Sequence, residues 1–151
     1  MSYSTVIDIL KYSQDIHQQA SALFAQLREE TQRERVDMML KLLAHHEERL
    51  AIHIGEVKEA SRDRILKEWH QFEPESIGDL MNDCKEIHPD ISVEELISIT
   101  LKLDDFMIET YRQLASEASS SEVRQLFSGL AEIEEAEKIS AVRAALSAND
   151  W

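Results

Sequence analysis

Apolar residues return at three- and four-residue steps through four long stretches of the chain. The first runs through Ile9, Ile16, Ala20, Leu23 and Leu27, and the second through Val36, Leu40, Leu43, Leu50, Ile54 and Val57. The third runs through Leu96, Leu103, Met107, Tyr111 and Leu114, and the fourth through Val123, Phe127, Leu130 and Ala141. This spacing lines one face of an α-helix. Helix starts are marked by a hydroxyl residue with an acid three positions later, the spacing that caps free N–H groups: Thr5 with Asp8, Thr31 with Glu34, Ser92 with Glu95 and Ser119 with Glu122. The pattern predicts helices over about 5–30, 32–64, 92–118 and 120–147. Almost no loop separates the first from the second or the third from the fourth, so each pair forms an antiparallel hairpin. The intervening stretch, about 65–91, holds both prolines; it reads as a long crossover with a short helix from Ser76 to Ile87. The predicted fold is one all-α domain over 1–151, a four-helix bundle.

One polar residue breaks each apolar face. In "LLAHHEERLAIHI" Glu47 shares the stripe of Leu43, Leu50 and Ile54, where a carboxylate is costly unless paired. Sliding the chain by 87 positions aligns residues 10–54 with 97–141 without a gap, and nine of those 45 positions are identical. Helical periodicity accounts for apolar matches such as Leu43 with Leu130. It does not account for Glu47 with Glu134. The same shift sets His17 over Asp104, each seven residues after an aliphatic (Leu10, Ile97) and seven before an aromatic (Phe24, Tyr111). Seven residues is nearly two turns, so all four helices are expected to bring a titratable group to a common interior level.

Composition supports the class and narrows the partners. Only three Gly and two Pro occur in 151 residues, 43% of which are hydrophobic, enough for one core in a helical domain. Sixteen basic against 30 acidic residues give a net charge of −14, which argues against nucleic acid and membrane surfaces as partners. The lone Cys84 suits a reducing compartment, "MSYSTVIDILKYSQ" does not read as a signal peptide, and no run is long enough to span a membrane, so a cytoplasmic location is expected.

With two helical hairpins, a long middle connection and "LFSGLAEIEEAEK" in the fourth helix, the chain resembles the ferritin-like superfamily, in particular rubrerythrin-type four-helix bundles. In that family the first and third helices each give a glutamate, and the second and fourth each give Glu-x-x-His, to hold two iron or manganese ions. The resemblance puts the ligand places at His17, Glu47, Leu50, Asp104, Glu134 and Glu137. Only Glu47 and Glu134 match by residue type, and Leu50 offers no donor. It also implies a homodimer.

Two functions follow. The leading one is a degenerate, non-catalytic member that takes no cofactor and works as a helical interaction module with a protein partner. Its interior cluster is a hydrogen-bonded remnant in which His17 pairs with Glu47 or Glu134 and crowded carboxylates share a proton. The alternative keeps a metal site of His17, Glu47, Asp104, Glu134 and Glu137 for Fe, Mn or Zn, with oxidoreductase activity on peroxide or oxygen, or metal handling. His45, His46 and His53 have ligand-like spacing but are expected on a solvated face beside Glu48, Arg49 and Glu56. Trp69 and Phe72 are expected to plug one end of the bundle, and Trp151 to dock there or on another subunit. No Gly-rich phosphate loop, Gly-x-Ser-x-Gly elbow or Cys/His nucleophile pair is present.

Overall fold

Thr5 and Ser92 cap as their spacing predicts. The Thr5 hydroxyl accepts from the Asp8 N–H at 3.4 Å and opens a helix over Val6–Glu30, and the Ser92 hydroxyl accepts from the Glu95 N–H at 3.1 Å and opens one over Val93–Glu117. The other two predicted caps are corrected. Thr31 ends the first helix, and the second begins after Arg33 with no side-chain cap. At the fourth helix the cap is Ser120, not Ser119, its hydroxyl accepting from the Val123 N–H at 3.2 Å.

The computed structural model describes residues 2–72, 88 and 90–149. In chain order these form β1 (Tyr3–Thr5), α1 (Val6–Glu30), α2 (Glu34–Ala60), α3 (Asp63–Leu66), β2 (Trp69–Gln71), α4 (Val93–Glu117) and α5 (Ser121–Asn149). The predicted helix from Ser76 to Ile87, Cys84 and Trp151 lie outside the described residues. The protein is mostly helical, as its periodicity predicts. α1 packs along α2 and α4 along α5, while α2 also meets α5 and α4. Three-residue connections, 31–33 and 118–120, leave each pair no choice but to fold back on itself.

Two features escaped the periodicity. The second helix stops at Ala60 instead of running to 64, and the chain re-enters a single helical turn, α3, before extending. β2 then pairs antiparallel with β1, matching Tyr3 with Gln71, Ser4 with His70 and Thr5 with Trp69. Backbone bonds from Val6 N to Glu68 O (2.9 Å) and from Phe72 N to Ser2 O (3.0 Å) extend the pairing at both ends. This small ribbon fastens the chain leaving α2 to the start of α1. Phe72 is buried edge-on against Tyr12, whereas Trp69 is exposed, so only Phe72 serves as the expected plug.

The core is continuous along the helices. Ile9, Leu10, Phe24, Leu40, Leu50, Leu96, Leu103, Met107, Tyr111 and Phe127 are all essentially sealed from solvent. Tyr111 and Phe127 stack with centroids 6.4 Å apart, and His70 meets Phe127 edge-on from the ribbon. Burying side chains of this size supplies about 1.5–3 kcal/mol each, enough to hold polar groups among them. At Gly55 the missing side chain leaves room for the Gln14 amide, which crosses from α1 to donate to the Ala51 carbonyl at 3.1 Å.

Candidate functional site

Midway along the bundle the apolar filling gives way to five titratable side chains. His17 comes from α1, His46 and Glu47 from α2, Asp104 from α4 and Glu134 from α5, and every one is buried. Each is carried inward by the apolar residues a turn or two away on its own helix, such as Leu43 and Leu50 around Glu47 and Leu130 before Glu134.

His17 is the hub. It donates from Nδ1 to Glu47 Oε2 at 2.5 Å and from Nε2 to Glu134 Oε1 at 3.0 Å, joining three helices. Both ring nitrogens can donate at once only in the imidazolium form. Burial works against that charge, but the carboxylates of Glu134 and Glu47 overcome it and hold the His17 pKa well above the usual histidine value. A second pair lies beside the first: His46 donates from Nε2 to Asp104 Oδ2 at 2.9 Å. Here too burial is opposed, chiefly by the bond to Asp104 and its charge, and the pKa is raised.

Burial pushes the Glu134 carboxyl up to about 7; the Asp104 carboxylate adds to the rise and His17 opposes it. Tyr111, sealed next to the cluster, is held well above the usual phenol value by burial and then by the charge of Glu134, so it stays neutral. Two imidazoles thus face three carboxylates, so opposite charges meet inside the cluster. That pairing makes its burial tolerable.

The pairing leaves atoms unsatisfied. Glu47 Oε1, Asp104 Oδ1, Glu134 Oε2 and His46 Nδ1 are buried with no hydrogen-bond partner among the described residues. A buried acceptor without a partner costs about 1–3 kcal/mol and calls for a proton, a water or an ion. His46, Glu47 and Asp104 each offer a donor atom, and the three atoms lie within 4.8 Å of one another. Donors sharing one cation at about 2.1 Å are at most about 4.2 Å apart, a spread of the same order. One imidazole with carboxylates is a donor set for Zn, Mn or Fe.

The structure thus brings His17, Glu47, Asp104 and Glu134 together. Glu137 stands apart at the rim of the cluster, where its Oε1 accepts from Arg49 Nη2 at 2.9 Å. Leu50 fills core. His46 is the correction: expected on a solvated face, it is only 5% exposed and bonded to Asp104. Two signals were available. His46 sits three residues after Leu43 and four before Leu50, and the 87-residue shift sets it over the apolar Ile133. His45 and His53 do lie nearer solvent, beside Glu48 and Glu56.

No family model, curated protein or solved structure matches this chain. What fold and site define is a class: a helical bundle with a buried histidine and carboxylate cluster able to accept a metal ion. No helix among the described residues is long and apolar enough to cross a membrane.

Proposed function

We propose that the protein is a ferritin-like four-helix bundle, two antiparallel hairpins joined by a crossover, that binds one divalent cation through His46, Glu47 and Asp104, with Glu134 adjoining. The observation that carries this reading is the buried trio His46, Glu47 and Asp104, one donor atom of each lying within 4.8 Å of the others, in which Glu47 Oε1 and Asp104 Oδ1 have no hydrogen-bond partner among the described residues. A cation among these donors satisfies the orphaned oxygens of both carboxylates.

One ion, not two, fits the residues. The imidazolium of His17 occupies the space between Glu47 and Glu134 and supplies the positive charge that a second ion would bring. Fe or Mn, when bound, would supply redox chemistry toward peroxide or oxygen, and Zn would supply Lewis acidity or structural cross-linking. The chain's own part is to hold the donors in a dry interior and to exchange protons for the ion at His46 and Glu134.

The test is metal analysis of protein purified without added metal, together with melting in Zn²⁺, Mn²⁺ or Fe²⁺. Binding to the native state raises the melting point, by about 2.7 kcal/mol of stability at a hundredfold excess over Kd. Stoichiometric metal lost in Glu47→Gln supports the reading. No metal and no melting shift with any of the three ions overturns it.

A second reading, a non-catalytic interaction module that dimerises, draws support from exposed apolar residues. Ile52 and Ile139, equivalent in the two halves, are 51% and 43% exposed on α2 and α5, and Leu146 lies bare farther along α5. Light scattering on the parent and on Ile52→Ser/Ile139→Ser decides it: a dimer that dissociates in the variant supports it, and a monomeric parent removes the homodimer.

A further inference from the structure

The rim of the cluster holds a group that the proposed ion does not itself need. Glu137 on α5 is mostly buried, and its carboxylate is clamped by Arg49, whose Nη2 donates to Oε1 at 2.9 Å. Its other oxygen, Oε2, stands 3.8 Å from His46 Nδ1. That nitrogen is one of the buried atoms without a partner, while Nε2 of the same ring points the opposite way, to Asp104. The His46 ring therefore lies between two carboxylates, one on the interior side and one at the rim.

We infer that Glu137 is a positioning residue for metal binding: it accepts a hydrogen bond from the Nδ1–H of His46, which keeps the ring proton on Nδ1 and leaves the Nε2 lone pair for the cation. A neutral imidazole carries one N–H and one lone pair, and the acceptor facing one nitrogen decides which is which. With no acceptor at the rim, the proton can as well remain on Nε2, where Asp104 already receives it, and the ring is then unable to ligate. With Glu137 there, the proton goes to Nδ1. An approach of under 1 Å by the Glu137 carboxylate turns the 3.8 Å separation into an ordinary hydrogen bond.

Arg49 has a part in this. Its hydrogen bond to Oε1 holds the Glu137 side chain in place, with Oε2 left towards His46. The arrangement, carboxylate to histidine to metal, fixes ring orientation and raises the basicity of the ligating nitrogen. Residue 137 then acts one step removed from the ion, although its place in the sequence repeat, opposite Leu50, is a ligand place by resemblance alone.

This inference rests on the proposed cation site, and the experiment separates the two. Zn²⁺ binding is measured by calorimetry for the parent, Glu137→Ala and Glu137→Gln, with nitrogen-15 NMR of the His46 ring in each zinc-loaded protein. Circular dichroism confirms that each variant is folded; the amide of the Gln variant keeps an acceptor at the rim and retains its bulk. The parent is expected to bind Zn²⁺ with Nε2 of His46 ligated and Nδ1 protonated. Glu137→Ala is expected to bind about 10–100-fold more weakly, with Glu137→Gln recovering part of that loss. If the parent binds but Glu137→Ala binds equally well with the same ring signature, the positioning role is wrong and the cation site stands. Ligation through Nδ1 overturns the positioning role as well. A parent that binds no Zn²⁺, Mn²⁺ or Fe²⁺ removes both.

Discussion

His17 and Glu47 face each other across α1 and α2 with 2.5 Å between Nδ1 and Oε2, and neither side chain touches solvent. The opposite edge of the same ring reaches Glu134 on α5. One imidazolium thus pairs with two glutamates, and removing it leaves both without their buried partner. His17→Leu, close in volume, is expected to lower stability by about 3–5 kcal/mol at neutral pH in urea unfolding. Replacing His17, Glu47 and Glu134 together by Leu takes away charges and partners alike and is expected to be neutral or to gain about 1–4 kcal/mol. A single variant as stable as the parent would show that the pairing carries no energy.

The metal-free protein should be most stable in mild acid. Glu134 has a folded pKa of about 7 against an ordinary 4.5, so between those values the folded state binds the extra proton. Stability then falls as pH rises through that window, on the order of 3 kcal/mol in total for so buried a group. His17 and His46 act in the same direction: their folded pKa values are raised, so their contribution is complete below the ordinary histidine value of 6.5 and is lost as pH climbs through the folded values. Urea unfolding in a chelating buffer from about pH 5 to 8 checks the sign. A stability that rises over that range would contradict it.

The four helices and the inward-facing His17, Glu47, Asp104 and Glu134 were legible because helical packing is local and periodic. A group seven residues from two buried neighbours has almost nowhere else to go. What was missed depends on pairing between distant segments. The β1 and β2 ribbon is three residues per strand, too short to show alternation, and exists only because α3 turns the chain back to the start of α1. The solvated face expected for His46 rests on Glu48, Arg49 and Glu56 farther along the chain, whereas Asp104, the residue that makes its burial affordable, is 58 positions away. The contact of Glu137 with Arg49 is equally out of reach of local pattern, because Arg49 lies on the other hairpin.

Capping offers a check on local structure independent of the cluster. Ser92→Ala removes the hydroxyl that receives the Glu95 N–H and should cost about 1 kcal/mol. Thr31→Ala should cost less, because Thr31 caps no N–H of α2 and only accepts from Arg33 at 3.3 Å in the connection. Equal losses in thermal unfolding would mean that the second helix starts at Thr31 after all.

Asp104→Asn distinguishes the proton-sharing and cation-binding properties of the same cavity. The substitution keeps the shape, removes the negative charge next to Glu134 and adds an amide N–H that can donate to it. Glu134 then loses one cause of its raised pKa, though burial remains, so the decline in stability of the metal-free protein between pH 4.5 and about 7 should become shallower. The cation site loses one of its carboxylates, and Zn²⁺ affinity should drop at least about tenfold, since an uncharged amide replaces an anionic donor. Unfolding at several pH values and zinc calorimetry on one preparation read both effects. A shallower slope with unchanged zinc affinity would remove Asp104 from the ligand set, and an unchanged slope would mean that Asp104 does not press on Glu134.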